Sequence, residues 1–152
     1  MDQGRSGRNL IDFGYLDSSF VVKLYVSEAE SGEAARIMTS LRGRAAISRL
    51  TDVEVAAALY RNADPHLGEQ GYRMYRHDRA ARVYREFEFN DAIFQRGEEI
   101  AEQYAMRYKL RSLDILQLAT ATYHGLKTVA TFDHRMIEAG AALGLRILPG
   151  SS

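Results

Sequence analysis

The sequence predicts an α/β protein with a central parallel sheet, because short apolar runs alternate with longer segments of helical periodicity. The chain has 152 residues, a length that favours one domain. Hydrophobic residues make up 46% of it and charged residues 26%, so an ordinary hydrophobic core is expected. We expect residues 1–13 to form a flexible N-terminal extension and residues 14–150 to form the single domain.

The predicted elements follow one another in the order of an α/β fold. Strands are expected at residues 14–17, 45–48, 86–89, 128–131 and 146–148, the first of them buried. Helices are expected at residues 18–26, 34–41, 49–62, 72–85, 93–108, 112–124 and 133–143. Pro65 is expected to end the helix before it, because proline disfavours helical geometry in the preceding residue. Ser112 is the expected cap of its helix, and Gly125 the expected stop.

The composition excludes several kinds of protein and site. The chain has no cysteine, so it holds no disulfide, no zinc–thiolate site and no cysteine nucleophile, which fits a reducing compartment. No apolar run approaches the ~20 residues that span a bilayer. The four histidines show no metal-ligand spacing, and no glycine-rich phosphate loop is present. We therefore expect a cytoplasmic protein that is not a nucleotide-binding kinase.

Four acidic residues fall where the predicted strands end or where the following helices begin. Asp17 ends the first strand, and Asp133 lies just beyond the fourth. Asp114 is in the first turn of its helix, and Glu54 lies one to two turns into the helix that leaves the second strand. In a parallel α/β sheet, ligands collect beyond the carboxyl ends of the strands. The sequence therefore predicts that these four carboxylates meet at one edge of the sheet.

Converging carboxylates suit the chemistry of a metal-dependent nuclease. Buried acids repel one another and raise each other's pKa unless they are paired, protonated or bound to a cation. A hard divalent cation such as Mg²⁺ prefers oxygen ligands and keeps part of its hydration shell. Such an ion activates water and stabilises the charge that develops on a phosphodiester.

Each aspartate in the set also has a purely structural interpretation. Asp17 and Asp133 would cap the helices that follow them, and Asp114 would be stabilised by the helix dipole. Glu54 has the weaker structural explanation, because an acid inside a helix beside Leu50 and Val53 caps nothing. The functional hypothesis therefore rests on the set of four.

Four segments that contain these acids resemble the motifs of PIN-domain nucleases of the VapC toxin type. The segments are YLDSSFVVKLY (residues 15–25), SRLTDVEVAAAL (48–59), RSLDILQLATA (111–121) and VATFDHRM (129–136). They occur in the family's order, and the likeness covers about residues 15–149. The resemblance implies a PIN-like αβα sandwich with a five-stranded parallel sheet, Mg²⁺ or Mn²⁺ as the cofactor, and RNA as the substrate.

The resemblance also assigns roles to the four acids. Asp17 and Asp114 are expected to bind the metal directly, and Glu54 and Asp133 to complete the metal site or to hold water on the ion. All four are then catalytic residues.

Hydrogen bonds from Ser18 and Thr131 are expected to orient these carboxylates. Two departures from the family pattern stand out: Gln117 occupies a position where histidine is common, and about a dozen residues precede the first strand.

The family likeness further implies a cognate antitoxin protein and a homodimer. Apolar residues on the early helices also favour the dimer, since they exceed what one small core is expected to cover. These residues are Val22, Tyr25, Ile37 and Leu41.

An arginine-rich segment is a candidate for binding RNA. Residues 71–85 contain five arginines and one acid, a local net charge of +4. Together with the nearby tyrosines, Arg73, Arg76 and Arg79 would hold RNA by phosphate pairing and stacking, and Arg61 is a further candidate. The alternative is a solvated helix surface with local salt bridges, which is the usual environment of charged residues.

Three functions stay open at the level of sequence. The first is a toxin-type, Mg²⁺-dependent endoribonuclease. The second is a PIN-domain nuclease of RNA processing, or one acting on DNA, with no toxin role. The third is a PIN module that binds RNA and no longer cuts it, although the retention of all four acids argues against this.

Overall fold

The structure, a computed structural model, describes residues 13–150. The expected flexible extension lies outside the described residues except for Phe13. The ring of Phe13 is buried and packs edge-on against Phe87, with 5.7 Å between the ring centroids. The ordered core therefore includes Phe13, which the sequence placed in the extension.

A five-stranded, fully parallel sheet forms the centre of the molecule, with the strands in the order β3-β2-β1-β4-β5. The strands are β1 (Gly14–Leu16), β2 (Ala45–Ile47), β3 (Arg85–Glu86), β4 (Thr128–Ala130) and β5 (Arg146–Leu148). The predicted parallel sheet of about five strands is confirmed. Because β1 lies between β2 and β4, the residues that follow β1 and β4 emerge side by side.

Seven helices flank this sheet within residues 13–150. They are α1 (Ser18–Val22), α2 (Ser31–Ser40), α3 (Arg49–Tyr60), α4 (Pro65–Ala80), α5 (Asp91–Tyr108), α6 (Ser112–Tyr123) and α7 (His134–Ala142). None of the described helices is long and apolar enough to cross a membrane.

Two hydrophobic cores lie on opposite faces of the sheet, because successive side chains of a strand point to opposite sides. Tyr15 of β1 belongs to the core that includes buried residues of α5, α6 and α7. The next residue, Leu16, belongs to the core that includes residues of α1 to α4. Ala46 and Ile47 of β2 divide in the same way. The arrangement is an αβα sandwich, as the resemblance to PIN-domain nucleases implied.

The arginine-rich helix is longer at its start and shorter at its end than the predicted segment 72–85. Pro65 is its first residue, where its missing N–H costs nothing, and the Asp64 carboxylate accepts hydrogen bonds from the first-turn amides. The helix ends at Ala80, because Arg82 has a φ of 59°. Arg85 belongs to β3, which overlaps the strand predicted at 86–89 only at Glu86.

Close contact between α3 and α4 depends on a glycine. A Cβ at Gly68 would lie 2.1 Å from the carbonyl oxygen of Leu59, so only glycine lets the two helix backbones approach this closely.

The apolar residues that favoured a dimer are largely used inside the protomer. Leu41 is buried in the core of α1 to α4, and Val22, Tyr25 and Ile37 pack against that core. Val22, Tyr25 and Ile37 each stay partly exposed, so these residues do not by themselves require a dimer.

Candidate active site

The four carboxylates singled out in the sequence lie at one edge of the sheet, beyond the carboxyl ends of the strands. Asp17 follows β1, and Asp133 lies three residues after β4, the neighbouring strand. Burial is the largest cause of a raised pKa at both Asp17 and Glu54, and neighbouring charges add to it. The negative charge of Asp133 raises the pKa of Asp17, and the charges of Asp17 and Asp114 raise the pKa of Glu54. Each acid is therefore within electrostatic reach of another member of the set.

Asp17 is a buried carboxylate, only 4% exposed, that is held by three hydrogen-bond donors. Thr131 donates its hydroxyl proton to Oδ2 at 2.5 Å, Ser19 donates to Oδ1 at 2.7 Å, and the Phe20 amide donates to Oδ1 at 3.0 Å. Burial raises the pKa of Asp17 to about 6 even though these donors lower it. Its ionised form is therefore destabilised, and a nearby cation would relieve that cost.

Glu54 lies at the margin of the core, half-buried, as its position in α3 predicted. Its Oε1 accepts a hydrogen bond from the Nε2 amide of Gln117, and a hydrogen bond from Ser18 also holds its pKa down. Desolvation nevertheless dominates, so the pKa of Glu54 is raised above its ordinary value.

Asp114 and Asp133 are both bound to backbone amides at helix N-termini. Asp133 is the N-cap of α7, and its Oδ1 accepts from the Arg135 amide at 2.9 Å. Asp114 is the third residue of α6, and its Oδ2 accepts from the Arg111 amide at 3.0 Å. The sequence predicted Ser112 as the cap of α6. In the structure Arg111 is the N-cap and Ser112 is the first residue of the helix.

The capping interpretation describes real contacts of all three aspartates, since Asp17 also accepts from the Phe20 amide. Capping does not require the burial of Asp17, however, because a cap at the surface binds the same amides in water. Its burial and raised pKa are what distinguish Asp17 from an ordinary cap.

Two residues that contact the acids were assigned no role from the sequence. Ser19 donates to Asp17 and accepts a hydrogen bond from the Phe132 amide, so it ties the loop after β4 to the acid after β1. Gln117 is buried and contacts Glu54. Ser19 stands two residues after an acid, a spacing that could have indicated it. Gln117 stood out in the sequence only as a departure from the family pattern, and no role was assigned to it.

The donor atoms at this edge suit a hard divalent cation, because the candidate ligands are all carboxylate oxygens. Asp114 accepts through Oδ2 and Asp133 through Oδ1, so each has a second oxygen to offer. Within residues 13–150, no three carboxylate or imidazole groups are close enough to hold an ion with their side chains as they stand. With the side chains as they stand, an ion would be held directly by one or two of these carboxylates, with water as the remaining ligands.

Arg79, one of the arginines predicted to bind RNA, is paired with acids of its own chain. Its guanidinium makes a bidentate contact with Asp52, at 2.9 Å and 3.1 Å, and also binds Glu86. Arg73 is exposed and paired with Glu69, one turn earlier on α4. Part of the positive charge of α4 is thus neutralised locally, as the surface interpretation expects.

A cavity of about 630 Å³ lies between α3 and α4, and none of the four acids lines it. Its lining residues are Arg49, Asp52, Val53, Ala56, Tyr72, Arg76, Arg79, Ala80 and Glu86. Arg76 is exposed in this lining, whereas Arg61, also exposed, lies outside it at the end of α3. Of the four arginines predicted to bind RNA, Arg76 and Arg79 line this cavity, whereas Arg61 and Arg73 do not.

Comparison with known proteins gives matches over nearly the whole chain. The family model of the PIN domain matches residues 14–142. Ribonuclease VapC46 of Mycobacterium tuberculosis is 32% identical over 139 residues, which are 90% of this chain and 97% of that protein.

Two crystal structures have a similar fold. VapC20 of Mycobacterium tuberculosis, described as a toxin that cleaves the sarcin-ricin loop, superposes with a TM-score of 0.68 at 19% identity, covering 83% of this chain and 94% of VapC20. FitAcB of Neisseria gonorrhoeae superposes with a TM-score of 0.63 at 18% identity, covering 88% of this chain and 94% of that chain. At these identities, the structural likeness concerns the fold.

Proposed function

The chain belongs to the PIN domain family, and on that basis we propose that it is an endoribonuclease that acts as the toxin of a toxin–antitoxin pair. The observation that carries the proposal is the buried Asp17, which is charged at a cost, next to Asp133 and within reach of Glu54. The likeness to a ribonuclease over 97% of that protein's length supports the same activity.

We propose Mg²⁺ as the cofactor, with Mn²⁺ as a substitute, held by Asp17 and Asp114 with Glu54 and Asp133 completing the site. A bound divalent ion supplies positive charge that activates water and stabilises the phosphodiester transition state. The chain's part is to fix these carboxylates before RNA arrives. Their assignment as ligands rests on their shared position and on their mutual electrostatic effects.

Hydroxyl groups of the loops at this edge of the sheet would orient the acids. Thr131 donates to Asp17 and accepts a hydrogen bond from the Asp133 amide at 3.0 Å, so one hydroxyl links two of the four acids. Ser18 acts on Glu54. These contacts would keep the carboxylates near one another although their charges repel.

The partners of the protein belong to the proposal as well. We propose a cognate antitoxin, a homodimer and a cytoplasmic site of action, where RNA is available. The resemblance to VapC toxins supports the dimer, whereas the early-helix apolar residues do not, because they pack inside the protomer. A strictly monomeric protein in light scattering at micromolar concentration would count against the dimer.

The alternatives of RNA processing and of a silent binding module make different predictions. A toxin should have a small partner protein, encoded beside its own gene, that binds it and suppresses cleavage. A processing nuclease should cut in the absence of such a partner. A silent module should bind RNA and leave it intact.

The experiment that tests the proposal is incubation of the purified protein with total cellular RNA, with Mg²⁺ or with EDTA, followed by mapping of new 5′ ends. Cleavage is expected only with the cation. Asp17→Asn should lower the rate by orders of magnitude, since a metal site contributes several kcal/mol to transition-state stabilisation.

The matched control is Asp64→Asn. Asp64 caps α4 through the His66 and Leu67 amides, on the outside of the molecule and away from the site. Asparagine caps about as well as aspartate, so both variants should fold. Undiminished cleavage by a folded Asp17→Asn protein, or cleavage in EDTA, would refute the assignment.

A further inference from the structure

We propose that Gln117 is a positioning residue for Glu54, held in place by a buried hydrogen-bond chain that runs from Ser48 through Tyr15. The inference rests on the proposed function, because it assigns a role toward the same carboxylate site. It concerns a residue that carries no charge and that the four-acid pattern does not include.

The chain consists of three buried side chains from three different elements. Ser48, the N-cap of α3, lies with its Oγ 3.0 Å from the Tyr15 hydroxyl, and Tyr15 comes from β1. The Tyr15 hydroxyl donates to Oε1 of Gln117 on α6. Ser48 and Tyr15 are fully buried, and Gln117 is 2% exposed. The chain therefore ends at Glu54 without passing through solvent.

The donors and acceptors of this chain fix its direction. The single proton of the Tyr15 hydroxyl goes to Gln117 Oε1, so Ser48 supplies the proton that the tyrosine oxygen accepts. Because Oε1 of Gln117 already accepts from Tyr15, the Gln117 amide presents its Nε2 to Glu54. This Nε2 lies 2.5 Å from Oε1 of the Glu54 carboxylate. An ionised carboxylate only accepts, so this orientation of the amide matches the charged form of Glu54.

This geometry gives Gln117 a task that an apolar residue of the same size could not perform. It connects Glu54 on α3 to the helix that carries Asp114 and to the strand that ends at Asp17. In other metal sites, removing a residue that orients a metal ligand typically lowers the metal affinity on the order of 10–100-fold. We expect a loss of this size when the Nε2 donor is removed.

The test compares Mn²⁺ affinity in the absence of RNA, measured by calorimetry or electron paramagnetic resonance, across variants of the full chain. Gln117→Leu keeps the approximate volume and removes both hydrogen bonds, so its Mn²⁺ affinity should fall by about 10-fold or more. The asparagine of Gln117→Asn is too short to reach both partners, so this variant should show a similar fall in Mn²⁺ affinity. It replaces the leucine variant in the test if that variant fails to fold. Gln117→His offers one ring nitrogen as acceptor and one as donor, and it should restore most of the affinity.

The matched control is Leu118→Ala, a core defect one residue further along α6. Leu118 is fully buried, belongs to the hydrophobic core of α5, α6 and α7, and lies near Gly140 of α7. This variant should melt at a lower temperature while Mn²⁺ affinity stays within about twofold of the parent. If Leu118→Ala lowers Mn²⁺ affinity as much as Gln117→Leu does, Gln117 is merely structural and the inference is overturned.

RNA cleavage at saturating Mn²⁺ gives a second readout. Gln117→Leu should lower kcat and leave KM for RNA near the parental value, because Gln117 faces the core and not the substrate. Parental Mn²⁺ affinity and kcat in both Gln117→Leu and Gln117→Asn would overturn the positioning role while the nuclease proposal stands. A parent protein that neither binds Mn²⁺ nor cuts RNA would overturn the nuclease proposal, and this inference with it.

Discussion

At the scale of single residues, Asp17 carries a charge that its surroundings oppose. Burial raises its pKa to about 6 from an ordinary value of 3.8, against the effect of three hydrogen-bond donors. Between these two pH values the folded protein holds a proton that the unfolded chain has released. Stability contributed by this group is therefore present below pH 4 and is lost as the pH rises through about 6.

The first prediction follows from this sign. In EDTA, Asp17→Asn should gain stability relative to the parent as the pH rises from 4 to 7, because asparagine never acquires the charge. The rise in the pKa of Asp17 from 3.8 to about 6 corresponds to roughly 3 kcal/mol in the free energy of unfolding. Urea unfolding of both proteins at a series of pH values measures the difference, in which contributions common to both proteins cancel. A stability difference that does not change with pH would contradict the burial-driven pKa.

The position of the four acids at one edge of the sheet and the hydrogen bonds from Ser18 and Thr131 could be predicted from the sequence, whereas the contacts of Gln117 could not. An aspartate directly after a buried strand is recognisable without a structure, and Asp17 and Asp133 both follow strands. Gln117 contacts Glu54 across 63 positions of sequence, and Tyr15 meets Gln117 across 102. Neither pair has a local signal, because a glutamine in an apolar helix and a tyrosine in a strand both look like ordinary core residues.

At the scale of secondary structure, the expected strands at 14–17, 45–48, 128–131 and 146–148 lie within one residue of the observed ones. Their apolar runs are bounded by polar residues, so composition alone locates them. The arginine-rich helix was misplaced because Pro65 was interpreted only as the end of α3. Its second role, as the first residue of α4, depends on the Asp64 cap.

The second prediction uses two buried helical glycines with opposite surroundings. Gly68→Ala should destabilise the protein by about 1–3 kcal/mol, because the new methyl would overlap the Leu59 carbonyl of α3. Gly97→Ala on α5 should stabilise it by up to about 1 kcal/mol, since alanine is the better helix former. The new methyl there would lie at 3.5 Å from Ile115 and Leu116, an ordinary contact. Urea unfolding tests both, and equal effects of the same sign would contradict the packing described for α4.

The third prediction concerns α4 as a surface for RNA. Arg73→Glu combined with Arg76→Glu should weaken RNA binding and reduce its salt dependence, since both guanidinium groups are exposed. Arg79 is left unchanged, because its pairing with Asp52 and Glu86 supports the fold.

The control for this pair reverses two exposed arginines on other helices, Arg36 on α2 and Arg107 on α5. Net charge changes equally in the two double variants, so only a difference between them reports on α4. Equal RNA affinities would favour the solvated-surface interpretation. Filter binding at several salt concentrations makes the comparison.

At the scale of the whole molecule, a metal that binds only the folded protein must raise its stability. At 100 times its dissociation constant, Mg²⁺ should stabilise the parent by about 2.7 kcal/mol. For a chain of this length that corresponds to a melting temperature roughly 5–10 °C higher. The melting temperature of Asp17→Asn should rise much less on addition of Mg²⁺, and that of Asp64→Asn should rise as much as that of the parent. Calorimetry with and without Mg²⁺ measures these melting temperatures. Equal rises in all three proteins would mean that the ion binds away from Asp17.

The sheet order has a consequence for the time at which the protein first becomes active during its own synthesis. Asp17 is made early, but the hydroxyl of Thr131 that holds it is encoded 114 positions later, after the strand that must insert between β1 and β5. At ribosomal rates of ~5–20 residues per second, the translation of that interval takes roughly 6–23 s. A nascent chain that is shorter than this has the first acid without its neighbour Asp133. Asp17 and Asp133 can therefore come together only after residue 133 has been translated and β4 has paired with β1.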